Sequence, residues 1–400
     1  MGRALISARL AAYGAAYFFA AGAFMSYWPV WLRSRGISDA EIGTLFMARQ
    51  MVSVAATLSA GFLAHRIGGL RGMLVALSAA AVVMMGAYQL AWTFTALLLV
   101  GLIWGAVWSP TMALYDGILV NEARARGLVY GRVRMWGSVA FICGTMLCGV
   151  AVDRFGPPSV LYVGVVGIVF LAPFALLLPK GEAHPKGVAR HAPFGLFELF
   201  RSRPFVLFMI AAGFCQSSHA VLYSFGTLTW RGAGISDVTI SALWGESVAV
   251  EILMMLGSGW LLKRLGVTGL IGFALVCGIV RWTGMAFTTA VPALIVLQLL
   301  HAGTFAASHL GAMAFIQRAL PASGAALGQS IYYALGTGLT QAVIYQFAGL
   351  LYTRFGQHAF LGMTAISAIG LMSILVLSRL WKGELLVGGA APASVTVPAR

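Results

Sequence analysis

Ionisable side chains inside apolar runs are the residues of this sequence whose types and spacing can do chemistry. Glu251 sits in SVAVEILMML and Arg281 in GIVRWTG; His301 and His309 lie eight residues apart in LLHAGTFAASHLGAM. Asp116 (MALYDGIL) and Arg134 (GRVRMWG) are eighteen residues apart, and Arg49 (FMARQMVS), Glu246 and His219 (CQSSHAVLYSFG) complete the set. The chemistry these types allow is proton exchange and anion binding. A carboxyl group that meets water and then a buried cation takes up and releases a proton as its surroundings change. An arginine keeps its charge and grips a carboxylate with two parallel N–H donors. A bare charge at membrane depth costs about 2.5–3.5 kcal/mol on insertion scales, so such groups are candidates for function. Glu251, flanked by apolar residues on both sides, has no route to the interface.

The elements that must position these groups follow from the composition. The chain has 400 residues, 60% hydrophobic and 9% charged, with a mean hydropathy of +0.90. Soluble domains carry about 25% charged residues, so the chain reads as an integral membrane protein. Twelve segments approach the roughly 20 apolar residues a spanning helix needs: about 10–32, 41–64, 73–91, 94–119, 134–152, 158–178, 204–230, 238–262, 268–287, 291–317, 325–351 and 357–379. The basic start of the chain and the run on through MSYWPVW mark a first span rather than a cleaved signal. With the N-terminus inside, nineteen of the 26 Lys and Arg residues fall on inner loops and termini and five on outer loops (Arg33, Arg35, Arg154, Arg231 and Arg354), while Arg49 and Arg281 lie within spans. That bias places both termini in the cytoplasm. It also accounts for the net charge of +15 without a nucleic-acid partner.

A polar stretch at 179–203 divides the chain into an N-terminal six-helix half, 1–178, and a C-terminal half, 204–382, with 383–400 as a loose cytoplasmic tail. The halves repeat each other. GISD at 36–39 returns at 234–237, GFLAHRIGG at 61–69 is echoed by GWLLKRLGV at 259–267, and DRFG at 153–156 by TRFG at 353–356, offsets of 198, 198 and 200. Two similar halves in parallel orientation around a midplane site are a transporter architecture.

The GFLAHRIGGLR loop, 61–71, resembles the loop between spans two and three of the major facilitator superfamily, with His65 where an aspartate is usual. YFFAAGAFMSYWPVWL (17–32), YGRVRMWGSVAF (130–141) and the segment 279–313 resemble the bacterial 3-phenylpropionate permease group, which is related to lactose permease and the oligosaccharide/proton symporters. The resemblance implies an all-α membrane protein of twelve transmembrane helices in two pseudo-symmetric halves. It implies substrate contacts from Asp116, Arg134, Phe141, Arg281 and His301, and proton coupling through Glu251, His301 and His309. Two positions depart from what the resemblance to lactose permease implies: Thr304 stands where that permease has a proton-carrying glutamate, and Phe141 where its tryptophan stacks on the sugar. Tyr27, Arg49, His219, Tyr223, Trp244 and Glu246 are candidate cavity-lining residues.

The expected function is a proton-coupled importer of a small aromatic carboxylate, acting by alternating access, monomeric, in the bacterial inner membrane. Arg134 or Arg281 can hold the carboxylate, and aromatic walls can take the ring. An oligosaccharide or nucleoside symporter, or a drug exporter of the same fold, is the alternative. An enzyme is not expected: the chain has no GxxxxGK[ST], HExxH or GxSxG motif. The four cysteines fall in apolar runs without metal-ligand spacing, so no metal or cofactor is expected either.

Overall fold

A computed structural model describes residues 2–64, 66, 69–179 and 195–387. Six long helices form the first half: α1 (Arg3–Ser34), α2 (Asp39–Ala64), α3 (Gly69–Leu90), α4 (Phe94–Arg126), α5 (Tyr130–Phe155) and α6 (Ser159–Leu177). A six-residue helix, α7 (Leu196–Arg201), precedes the second half, inside the stretch expected as linker. The seventh span is α8 (Arg203–Ser217), a π-helical segment at Leu222–Gly226 and α9 (Thr227–Gly232). The eighth is α10 (Asp237–Leu256). Within α11 (Ser258–Phe287), Gly266 at φ 68° splits a connecting arm from the ninth span. The tenth joins α12 (Val291–Leu299), a π segment at Gly303–Ala307 and α13 (Ser308–Ala319). The eleventh runs through α14 (Ala325–Ile331), a π segment at Tyr332–Leu339 and α15 (Thr340–Phe355), and the twelfth is α16 (Phe360–Leu380).

Among the described residues, ten helical stretches are long and apolar enough to cross a membrane. One of them, Ala325–Leu380, holds the last two expected spans, parted by the turn Gly356–Ala359. The second expected span is α2, which is not among the ten and carries Arg49 and Gln50 near its middle. The expected loop residue His65, the stretch 180–194 and the tail from 388 onward lie outside the described residues. At the start of the expected tail, Leu386 donates its amide to Ala319 O and Val387 is buried.

The internal repeat has a structural counterpart. Gly36 and Gly234 both take φ 80°, a left-handed conformation that a side chain resists. Arg33 pairs with Asp39 in the first half, and Arg231 pairs with Asp237 in the second at 3.0 Å. Both pairs staple the turn between two helices, and their residues differ by the same 198 positions as the GISD motifs.

The halves meet at the end of the bundle that carries these turns. Tyr27 Oη donates to Asp237 O at 2.6 Å, Thr227 Oγ1 to Ser26 O at 2.6 Å, and Thr44 Oγ1 to Gln346 Oε1 at 3.0 Å. Gly43 and Gly349 let α2 and α15 approach backbone to backbone. A methyl added at Gly43 would lie 2.8 Å from Tyr345 O.

Candidate functional site

Four spans of the second half bring a polar network together in the apolar interior. Arg281, fully buried on α11, donates through Nη1 to His301 Nδ1 at 2.8 Å and to Thr304 Oγ1 at 3.0 Å. Its Nη2 donates to Gln298 Oε1 at 2.5 Å, and Gln298 Nε2 in turn donates to Leu243 O at 3.0 Å. The Arg281 ring of donors also lies 4.6 Å over the face of Trp282. His301 Nε2 and Glu251 Oε1 are 2.6 Å apart, with the Glu251 side chain 20% exposed. A buried charge is tolerated when its hydrogen bonds are met, and two of the three guanidinium nitrogens are used; Nε has no partner among the described residues.

Donor and acceptor roles follow from this geometry. The arginine can only donate, so His301 Nδ1 accepts. The neutral ring then carries its hydrogen on Nε2 and presents it to the Glu251 carboxylate. A second histidine joins by the same logic. His219 Nδ1 lies 2.9 Å from Gln216 O, an acceptor, so it donates there, which leaves Nε2 as the acceptor facing the Thr304 hydroxyl at 3.0 Å; that hydroxyl also lies 3.1 Å from His301 O, and the two acceptors share its one hydrogen. Thr304 thus links Arg281 to His219. The His219 ring stacks on Tyr223 at 5.5 Å, and Tyr223 on Trp244 at 6.1 Å.

Tyr223 also faces a cavity of about 260 Å³ between the halves. The first half supplies most of its wall, including Phe24, Trp28, Arg49, Gln50, Trp104 and Trp108, and Tyr345 joins from the second. Trp104 and Trp108 stack at 4.9 Å and 15°, and Phe24 meets Trp104 edge-on at 6.0 Å.

The expected site residues divide accordingly. Glu251, Arg281, His301 and His219 come together, and Tyr223 and Arg49 line the cavity. Asp116 and Arg134 face each other at 3.9 Å, each about a third exposed, and Arg134 lies over Phe18 at 4.6 Å. Asp116 lies ten residues, about 15 Å, before the end of α4, level with Tyr130 and Arg134 in the first turns of α5. His309 does not join: its ring stacks on Tyr333 at 6.2 Å. The π segment at Gly303–Ala307 lies between the two histidines and widens the turn, so a uniform 3.6-residue period does not relate them. Tyr27, expected to line the cavity, is instead buried at the contact between the halves. Phe141 is buried with its carbonyl against Gly22, away from the cavity wall. Trp244 is buried and donates to Thr227 Oγ1 at 3.0 Å. Glu246 is half-buried and does not enter the network.

Gln298 was not singled out by the sequence. Gln298 lies three residues before His301, on the same helical face, and was the one amide in an otherwise apolar stretch. Amides carry no charge, so they draw less notice in a hydropathy scan.

Residues 10–362 match the model of the MFS_1 like family. The chain is 31% identical to a probable 3-phenylpropionic acid transporter of Escherichia coli (strain K12) over 357 residues, covering 88% of this chain and 92% of the relative. It is 24% identical to the raffinose permease of Escherichia coli, covering 89% and 90%. The solved structure of the nucleoside transporter NupG superposes with a TM-score of 0.83 at 16% identity, over 94% of this chain and all of that one. A polar network buried in a two-halved helical bundle, with a cavity between the halves, accords with these similarities: the chain belongs to the MFS_1 like family and is a multi-pass secondary transporter of the major facilitator superfamily, not an enzyme.

Proposed function

We propose that the protein imports a small aromatic carboxylate together with protons across the bacterial inner membrane, as a monomer with both termini in the cytoplasm. The observation that carries this reading is the buried chain Glu251–His301–Arg281, connected through Thr304, His219 and Tyr223 to an aromatic-walled cavity between the halves. The name of the Escherichia coli relative supports the substrate class.

Glu251 carries the exchanging proton in this scheme. His301 keeps its own hydrogen on Nε2 while Arg281 donates to Nδ1, so the group left to gain and lose a proton is the partly exposed carboxylate. Protonation removes the charge that His301 Nε2–H faces and accompanies substrate binding. The two halves, 1–178 and 204–382 joined by 179–203, then rock about the site. The halves close at the Gly36 and Gly234 end, which lies away from the termini, so in this scheme that end is the gate that must part for substrate to enter.

The test is uptake of radiolabelled 3-phenylpropionate into proteoliposomes. Wild type concentrates the acid under an inward proton gradient and loses that ability with a protonophore. Glu251→Gln abolishes gradient-driven accumulation and retains counterflow exchange. Concentrative uptake that survives the substitution removes Glu251 from the scheme.

A further inference from the structure

Among the described residues, three arginines sit among the packed helices, and two of them face a polar partner. Arg281 is buried and held by His301, Thr304 and Gln298. Arg134 faces Asp116 at 3.9 Å. Arg49 is different. It lines the cavity and its recorded partner is the Phe46 ring at 5.0 Å; no acid or hydrogen-bond acceptor meets it among the described residues. It lies ten residues into α2, about 15 Å from the helix start, where a cation without a counter-ion is expensive.

We propose that Arg49 is the carboxylate anchor of the transport site, with the aromatic ring of the substrate lying against Trp104 and Trp108. This rests on the transport function proposed above and names its binding site. The guanidinium fork matches a carboxylate bidentately, and the bound acid supplies the counter-ion that the protein withholds. Trp108 is stacked between Trp104 and Tyr17, and Phe24 meets Trp104 edge-on, so the cluster offers the cavity ring edges, the geometry for an edge-to-face contact with a ring. An apolar cavity of about 150 Å³ takes up benzene, so the roughly 260 Å³ here has room for a ring and a short acid arm. Tyr223 closes the opposite wall and stacks on His219. An occupant therefore touches the first ring of the path to Glu251, without contacting Arg281 itself.

Equilibrium binding of radiolabelled 3-phenylpropionate and its neutral amide to the full chain in nanodiscs tests the assignment. Wild type prefers the acid. Arg49→Gln loses roughly tenfold to a hundredfold in affinity for the acid, the range for hydrogen bonds to a charged group, and binds the amide within about threefold of wild type. Retained amide binding also certifies the fold. If Arg49→Gln does not fold, Arg49→Lys decides: it keeps the charge without the fork and loses several-fold for the acid alone, whereas unchanged acid affinity overturns the anchor. An Arg49→Gln protein that still prefers the acid overturns Arg49 as anchor and leaves the aromatic-acid function standing. Wild type that binds neither compound overturns both.

Discussion

At the scale of single residues, the buried network works by direction. Apart from Arg281 Nε, the donors face acceptors, from Arg281 through Thr304 to His219 and from His301 to Glu251, and Gln298 closes the circuit by turning its oxygen to Arg281 and its nitrogen to Leu243 O. Replacing Gln298 with leucine keeps the volume but leaves Nη2 of a buried cation unmatched. The expected cost is roughly 2–4 kcal/mol, read as a lower thermal unfolding midpoint of the purified protein in detergent. A midpoint equal to wild type would show that Arg281 does not need this amide. The charged members of the network were legible in the sequence because charge in an apolar run is conspicuous. Gln298 and the role of Thr304 were not, because a hydroxyl or amide becomes functional only through what it faces.

At the scale of elements, irregular helices place the groups. The tenth span changes to π geometry two residues after His301, and the seventh does so around Tyr223. Such turns recur at functional sites, and here they set His301 and His309 against different neighbours. Helix approach depends on glycine at two places in particular. Gly43 and Gly349 bring α2 against α15, where a methyl at Gly43 would press on the Tyr345 carbonyl. Gly43→Ala is therefore expected to hinder closure at this end. Uptake should fall by about tenfold or more, and a cysteine placed at Met25, in a chain lacking the native cysteines, should label faster with an impermeant reagent applied from that side. Unchanged labelling and uptake would mean that the contact gives way at little cost.

At the scale of the whole molecule, the distribution of charge predicts how the bundle is oriented. The loops with Arg33, Arg35, Arg154, Arg231 and Arg354 hold the minority of the cations and are expected to face outward. Ala233→Cys should label from outside intact cells, and Ala125→Cys only after the membrane is opened; the reverse pattern would invert the protein and turn the proposed importer around. The sequence by itself determined the helical membrane class, the two-halved repeat and the identity of the charged interior groups. These depend on local apolar length and on short motifs, which are written along one chain. Only the tertiary structure decided that Arg281 is engaged by three side chains, that Arg49 meets an aromatic cavity, that Tyr27 serves the contact between halves and that His309 stands apart. Those facts arise where helices far apart in sequence pack together, and helical periodicity alone does not report which faces meet.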